Sequence, residues 1–118
     1  IKPENEFTEY VNTPLAYFCD SCQHLMCEFE FSDPDRIGEL VMVTELRLGD
    51  SLVHWQGANF RQFQFKDSSG NYRLHSITRL PPSLCKDATL KVYLWNKDKM
   101  TLRPHRFRLY SNEQLNKI

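Results

Sequence analysis

Residues 88–111 alternate apolar and polar side chains with a period of two, which is the pattern of strands with one buried face. The first half has two faces, with Leu90, Val92 and Leu94 on one and Lys91, Tyr93 and Trp95 on the other. A polar turn follows at 97–100. The second half again has two faces, with Phe107 and Leu109 on one and Arg106, Arg108 and Tyr110 on the other. This pattern predicts two antiparallel strands joined as a closing hairpin.

The upstream sequence repeats this period between turn signals. Residues 24–31 give the cleanest example, with an inward set of Leu25, Cys27, Phe29 and Phe31. Residues 39–48 are more continuously apolar, as expected of a central strand covered on both faces. Shorter runs occur at 6–11, 51–56, 60–65 and 72–79. About eight strands separated by turns predict an all-β fold, an antiparallel β-sandwich.

Length and charge restrict the function classes. The 118 residues fit one domain, 1–118, which ends in a polar tail at 112–118. Lys plus Arg (15) equals Asp plus Glu (15), so the chain lacks the charge of a general nucleic-acid binder. A local basic cluster of Arg103, His105, Arg106 and Arg108 is interpreted as a solvated strand face. Because the chain begins at Ile1 and not at Met, we expect an upstream segment, such as a signal peptide or membrane anchor.

Several segments together resemble a known family. They are Asn5–Phe7, Tyr10, Pro14–Leu15, Val53–Gly57, Thr78–Pro81 and Leu90–Asn96. In this order they resemble extracytoplasmic jelly-roll domains of the galactose-binding-like type, which are common in Bacteroidota cell-envelope proteins. The resemblance implies a jelly-roll sandwich without catalytic activity or cofactor, located in the periplasm or at the cell surface. It also implies that the domain is membrane-tethered only through the missing upstream segment.

The four cysteines leave three alternatives open. Cys19, Cys22 and Cys27 lie close together in the sequence, whereas Cys85 is distant. In an oxidising compartment these residues are disulfide candidates, and their pairing cannot be deduced from the sequence. Unpaired thiols are the second alternative, since Cys27 falls on the inward face of its strand. The third is a metal site formed by Cys19, Cys22, either His24 or Cys27, and Cys85, although the sequence supplies no second compact ligand pair.

The remaining candidate residues are aromatic or basic. No spacing of the four histidines with Asp, Glu or Ser predicts a catalytic triad, so we expect no enzyme. The best candidates for contact with a ligand or partner are Trp55, Tyr93, Trp95, Arg106 and Arg108. We expect a scaffold module that contacts protein subunits of an envelope complex. A carbohydrate-binding module that uses exposed aromatic rings is the alternative, and a metal-binding domain is the second alternative.

Overall fold

The computed structural model of the chain describes residues 6–17, 24–61, 66–80 and 87–111. These residues form seven strands: β1 (Phe7–Pro14), β2 (His24–Ser32), β3 (Leu40–Leu48), β4 (Ser51–Asn59), β5 (Tyr72–Arg79), β6 (Thr89–Asn96) and β7 (Arg103–Ser111). A single 3₁₀ turn at Leu15–Tyr17 follows β1, and no α-helix occurs in the ranges described. The prediction of an all-β protein is therefore confirmed.

The strands form two antiparallel sheets. The larger sheet has the order β1-β6-β3-β4, and the smaller has the order β5-β2-β7. Side chains from both sheets enter one core, which includes Leu25, Phe29, Leu74, Met42, Leu90 and Leu94. This sandwich-like arrangement agrees with the two-sheet prediction, because each sheet hides one face against the other.

The alternation in β2 is confirmed by burial. Leu25, Cys27, Phe29 and Phe31 all lie in the core. The outward side of β2 carries Glu28 and Glu30, which are nevertheless buried because longer side chains from the neighbouring strands cover them. Strand β3 lies between β6 and β4 and is buried on both faces, as its continuous apolar sequence predicts.

The predicted hairpin of residues 88–111 is wrong. Strand β6 pairs with β1 and β3, whereas β7 pairs with β2 in the other sheet. The segment between them crosses the sandwich because Met100 and Leu102 enter the core. The Asn96 side chain fixes the start of this crossing, since it donates to Met100 O and accepts from Met100 N, both at 2.8 Å. The polar turn and the two buried apolar residues after it therefore connect strands of different sheets and do not form a hairpin.

The count of eight strands is not confirmed. The predicted run at 60–65 begins with Phe60, which is fully buried, and Arg61, and both residues lie in a turn. Residues 62–65 lie outside the described residues. The sequence pattern predicts that the strand starting at Ser51 ends before Gly57, whereas β4 continues to Asn59.

Each of the two neighbouring edge strands β1 and β7 contains a bulge. In β1 the register shifts between Glu9 and Val11, which leaves Tyr10 as the extra residue. Its ring stacks on Phe107 of β7 with centroids 4.8 Å apart, so it closes the side of the sandwich where these strands meet. In β7 the shift leaves His105 as the extra residue, and its Nε2 lies 2.7 Å from the Ser32 hydroxyl.

The opposite side of the sandwich is closed by one side chain of β4. The Gln56 amide donates to Ile77 O at 2.8 Å and to Ser76 Oγ at 3.2 Å. Its carbonyl oxygen accepts from Thr78 Oγ1 at 3.3 Å. Gln56 therefore connects the edge of the larger sheet to β5, the edge of the smaller one.

Candidate functional site

The outer face of the larger sheet gathers aromatic residues from three strands. The register places Phe7 opposite Trp95, which is opposite Val41. Tyr93 lies on the same face, two residues before Trp95 on β6. Trp55 of β4 pairs with Glu45 and lies on this face as well, beyond the level of Tyr93. We call the set Phe7, Trp55, Tyr93 and Trp95 the aromatic face. The prediction that Tyr93 and Trp95 project away from Leu90, Val92 and Leu94 is confirmed by the burial of those three aliphatic residues in the core.

The rings of the aromatic face contact one another. Phe7 and Trp95 are stacked with centroids 5.9 Å apart and planes at 16°. Phe7 also meets Tyr93 edge-on at 6.0 Å. Val41 and Val43 of β3 are buried although they lie on this outer side of the sheet. The larger sheet therefore carries a small second apolar layer, which remains partly open since Phe7 is 58% exposed.

The indole of Trp55 is held at a fixed place on this face. A Cβ built on Gly57 would lie only 2.8 Å from Trp55 Cη2, so the ring occupies the space above that glycine. The Tyr93 hydroxyl, which lies on the same face, donates to Glu45 Oε1 at 3.2 Å. Burial, and next the Glu45 carboxylate, raise the pKa of the Tyr93 phenol, which therefore stays a neutral donor near pH 7. Even so, Trp55 is 49% exposed.

Charged side chains surround the rings. Lys97 Nζ lies 4.8 Å from the centre of the Trp95 ring, and Lys91 Nζ lies 5.5 Å from that of Tyr93. The Trp95 indole N–H donates to Glu6 Oε1 at 3.3 Å, and Lys91 pairs with Glu9 at 3.9 Å. An apolar centre with a charged border is the composition that protein interfaces favour.

A shallow groove runs along the β1–β6 part of this face. Its volume is about 370 Å³, and Phe7, Glu9, Lys91 and Tyr93 line it. The groove offers two aromatic surfaces together with one carboxylate and one ammonium group. Such a site can bind a small ligand that has an apolar side and polar substituents.

Arg106 and Arg108 do not join the aromatic rings. Both lie on β7, at the outer face of the smaller sheet, and not beside Trp95, where the predicted hairpin would place them. The reason is the crossing at 97–102, which places β6 and β7 in different sheets. Arg108 instead pairs with Glu28, with Nε 3.9 Å from Oε1.

The cysteine alternatives are tested only at one residue. Cys27 is a free thiol in the core, and burial raises its pKa to about 12. Cys19, Cys22 and Cys85 lie outside the described residues. In the described part of the chain, no three His, Cys, Asp or Glu side chains form a group that could hold a metal ion. His24 is half-buried at the start of β2.

Sequence reasoning did not select Phe7 or Gly57 for this site. The alternation within 6–11 predicts that Phe7, Glu9 and Val11 share one strand face, but the bulge at Tyr10 moves Val11 to the other side. The sequence signal for Phe7 was its spacing of two residues from Glu9 in an edge strand, which places both side chains on one face. Gly57 could have been noticed as a glycine two residues after a tryptophan in a strand, where a ring can cover the missing side chain.

The fold and this face define a class only, an all-β protein with two sheets and an exposed aromatic surface on one of them. Comparisons with protein-family models, with curated proteins and with solved structures gave no match to this chain. Among the residues for which the structure gives positions, no helix is long and apolar enough to span a membrane.

Proposed function

We propose that this chain is a non-catalytic interaction module of a larger cell-envelope assembly, and that its aromatic face contacts a protein partner. In this proposal the fold is a sandwich of jelly-roll type. The domain lies in the periplasm or at the cell surface, and an upstream segment tethers it to the membrane.

One observation carries the proposal of a protein contact. Phe7 and Trp55 are large rings, 58% and 49% exposed, on the same outer face as the buried Val41 and Val43. Aromatic anchors with a border of charged residues are the arrangement that supplies most of the binding energy at protein interfaces. The rings are also held in place by Trp95 and Gly57, so little conformational entropy is lost on binding.

The winding of the chain supports the jelly-roll part of the proposal. Among the seven described strands, β3 and β4 are the one consecutive pair in the same sheet, and the other connections pass from one sheet to the other. Greek-key and jelly-roll sandwiches share this kind of winding. The extracytoplasmic location rests on the resemblance of segments such as Val53–Gly57 and Leu90–Asn96 to envelope domains.

Site-specific photo-crosslinking in intact cells of the source organism tests the protein contact. A photoreactive residue is placed at Phe7, at Trp55 or, as a matched control, at Ile77. Ile77 is also apolar and is 61% exposed, but it lies on β5 in the other sheet. We expect the same cross-linked protein from positions 7 and 55 and none from position 77. Equal cross-linking from all three positions, or none from 7 and 55, would contradict the proposal.

The groove favours a second candidate function, the binding of a carbohydrate. Flat rings such as Phe7 and Tyr93 contact the apolar side of a sugar, while Glu9 and Lys91 can bond its hydroxyl groups. Titration with neutral oligosaccharides, followed by tryptophan fluorescence, tests this function. We expect Tyr93→Ala to abolish a fluorescence change that Ile77→Ala retains. Absence of saturable binding in the unmodified chain would reject this candidate.

A further inference from the structure

The outer face of the smaller sheet is rich in arginine. Its central strand β2 presents Glu28 and Glu30, and the register places basic residues on both sides of them. We call the following set the arginine face: Arg73, Arg79, Arg103, Arg106 and Arg108. Two strands on either side of β2 contribute them, with Arg73 and Arg79 from β5 and the others from β7. The sequence separates these two groups by more than twenty residues, so only the fold unites them.

The bulge in β7 determines that Arg103 belongs to this face. Arg106 pairs with Glu30, whereas Pro104 pairs with Phe31 and Arg103 with Ser32. Without the extra residue His105, strict alternation would turn Arg103 to the core side together with Phe107. The bulge therefore aligns three arginines along one edge strand. Their partners on β2 span four residues, so at ~3.4 Å per residue the distance from Arg103 to Arg108 along the strand is about 14 Å.

The arginine face carries an excess of positive charge although the whole chain has a formal net charge of +0. Three carboxylates contact it, those of Glu28, Glu30 and Asp67, against five guanidinium groups. Arg79, Arg103 and Arg106 have no ion pair with another described residue. The excess of positive charge on this face is therefore not visible in the composition of the whole chain.

The carboxylates hold the paired arginines at one atom only. Arg108 Nε lies 3.9 Å from Glu28 Oε1, and Arg73 Nε lies 3.9 Å from Glu30 Oε2 and 3.5 Å from Asp67 Oδ2. In each pair the closest guanidinium atom is Nε, so the terminal Nη groups are farther from the acid. These groups form the fork that binds sulfate or phosphate oxygens in a bidentate manner.

The structure also leaves acceptor atoms beneath this layer. Glu28 Oε1 and Glu30 Oε2 are buried and accept no hydrogen bond from the described residues. Their side chains are 10% and 9% exposed. The two glutamates thus lie as buried counter-charges beside Arg73 and Arg108, whose side chains remain partly exposed.

From this arrangement we propose that the arginine face binds a linear sulfated polysaccharide. Isolated sulfate groups on a sugar chain match guanidinium groups that are separated by buried carboxylates. Single-stranded nucleic acid fits less well, because base stacking needs rings among the basic residues. Tyr110 is the one aromatic residue on the described part of this face, since the aromatic face belongs to the other sheet. An anionic membrane also fits less well, because Ile77 is the one large hydrophobic side chain that is exposed on β2, β5 and β7, and binding to a bilayer surface needs buried apolar area as well as charge.

Binding of the purified chain to size-fractionated heparin tests the proposal, with calorimetry over a series of salt concentrations. The double variant Arg103→Gln/Arg106→Gln removes two guanidinium groups that hold no ion pair in the described structure. The matched control Arg47→Gln/Arg61→Gln removes the same charge outside the smaller sheet, from β3 and from the turn after β4. We expect the Arg103→Gln/Arg106→Gln variant to bind about tenfold or more weakly, and its slope of log affinity against log salt to fall by about two. The control is expected to keep both values, and chemically desulfated heparin to bind neither variant nor the unmodified chain.

Three results would overturn the proposal. One is equal loss of heparin binding in the Arg103→Gln/Arg106→Gln variant and in the control variant, because the attraction would then be a property of net charge. Another is tighter binding to phosphatidylserine vesicles or to a single-stranded oligonucleotide than to heparin at the same salt concentration. The third is absence of heparin binding at low salt in a chain whose circular dichroism shows the folded β signal. The outcome does not depend on the aromatic face, so this proposal and the proposed protein contact can fail separately.

Discussion

The indole of Trp55 occupies the space that a side chain at Gly57 would need. A Cβ at position 57 would lie 2.8 Å from Trp55 Cη2 and 3.0 Å from Val41 Cγ1. The missing side chain at 57 therefore makes room for the ring that is exposed at the β4 edge of the aromatic face. This relationship between a glycine and the ring above it leads to the first prediction.

Gly57→Ala is expected to displace Trp55 and to lower the free energy of unfolding by about 1–3 kcal/mol, the usual cost of overpacking. The measurement is urea unfolding followed by tryptophan fluorescence. The control is the same change in a Trp55→Ala background, where the nearest obstacle is gone and the cost should be smaller. An equal cost in both backgrounds would show that Trp55 does not occupy that space.

Asn96 is predicted to be the main polar support of the crossing between the two sheets. Its side chain is buried and bonds both the N–H and the C=O of Met100 at 2.8 Å. Asn96→Ala leaves both backbone groups without these partners, so we expect the free energy of unfolding to fall by about 1–3 kcal/mol. Asn12→Ala, at an exposed asparagine of β1, should change it by less than about 0.5 kcal/mol. Similar values for the two variants in chemical denaturation would refute this role of Asn96.

Tyr10 and Phe107 are predicted to stabilise the sandwich as a pair. Their rings stack at 4.8 Å across the two sheets, with planes at 18°. A double-mutant cycle with Tyr10→Leu and Phe107→Leu is expected to give a coupling of about 0.5–1.5 kcal/mol beyond the effect of lost apolar area. The same cycle between Tyr10→Leu and the distant Leu74→Ala provides the reference. A coupling near zero for the stacked pair would mean that the two rings only fill space.

Cys27 is predicted to be inert in the folded protein and to make it sensitive to alkali. Burial raises the pKa of its thiol from 9.0 to about 12. The folded state therefore keeps the proton when the unfolded thiol has already lost it. This favours the unfolded chain as the pH rises, so stability that is fully present below pH 9 is lost progressively towards pH 12.

Two measurements check the prediction for Cys27. Peptide mapping after alkylation at pH 8 should find Cys27 unlabelled until denaturant is added. In Cys27→Ala, the loss of unfolding free energy between pH 9 and 12 should be smaller than in the unmodified chain, although its stability at pH 7 is lower because a cavity forms. Rapid labelling of Cys27 without denaturant would contradict the buried position.

The sequence was a good guide wherever the two-residue period was unbroken. The inward set of β2, with Phe29 and Phe31, and the two faces of β6, with Tyr93 and Trp95, could be predicted because alternation assigns each side chain to one face. Which strands pair could not be predicted in this way. Alternation is the same whether β7 pairs with β6 or with β2, and the decision lies in the crossing, where Met100 and Leu102 are buried.

The sites were harder to predict for the same reason. Trp55, Tyr93 and Trp95 share the outer face of the larger sheet, but Phe7 joins them through a pairing of β1 with β6 that local patterns do not specify. Arg73 and Arg79 were missed beside Arg106 because they lie on a strand far away in the sequence. The two bulges added a second difficulty, since one extra residue reverses the face of everything beyond it.

The bulges also bear on how the protein behaves at high concentration. An open sheet edge offers a row of unpaired N–H and C=O groups to which a strand of another molecule can add. Strands β1 and β7 are both edges, and the extra residues Tyr10 and His105 interrupt that row in each of them, while Pro104 lacks an N–H altogether. Fibril-like growth from this side is thus discouraged. It would have to start at β4 or β5, where the Gln56 amide already bonds the carbonyl of Ile77.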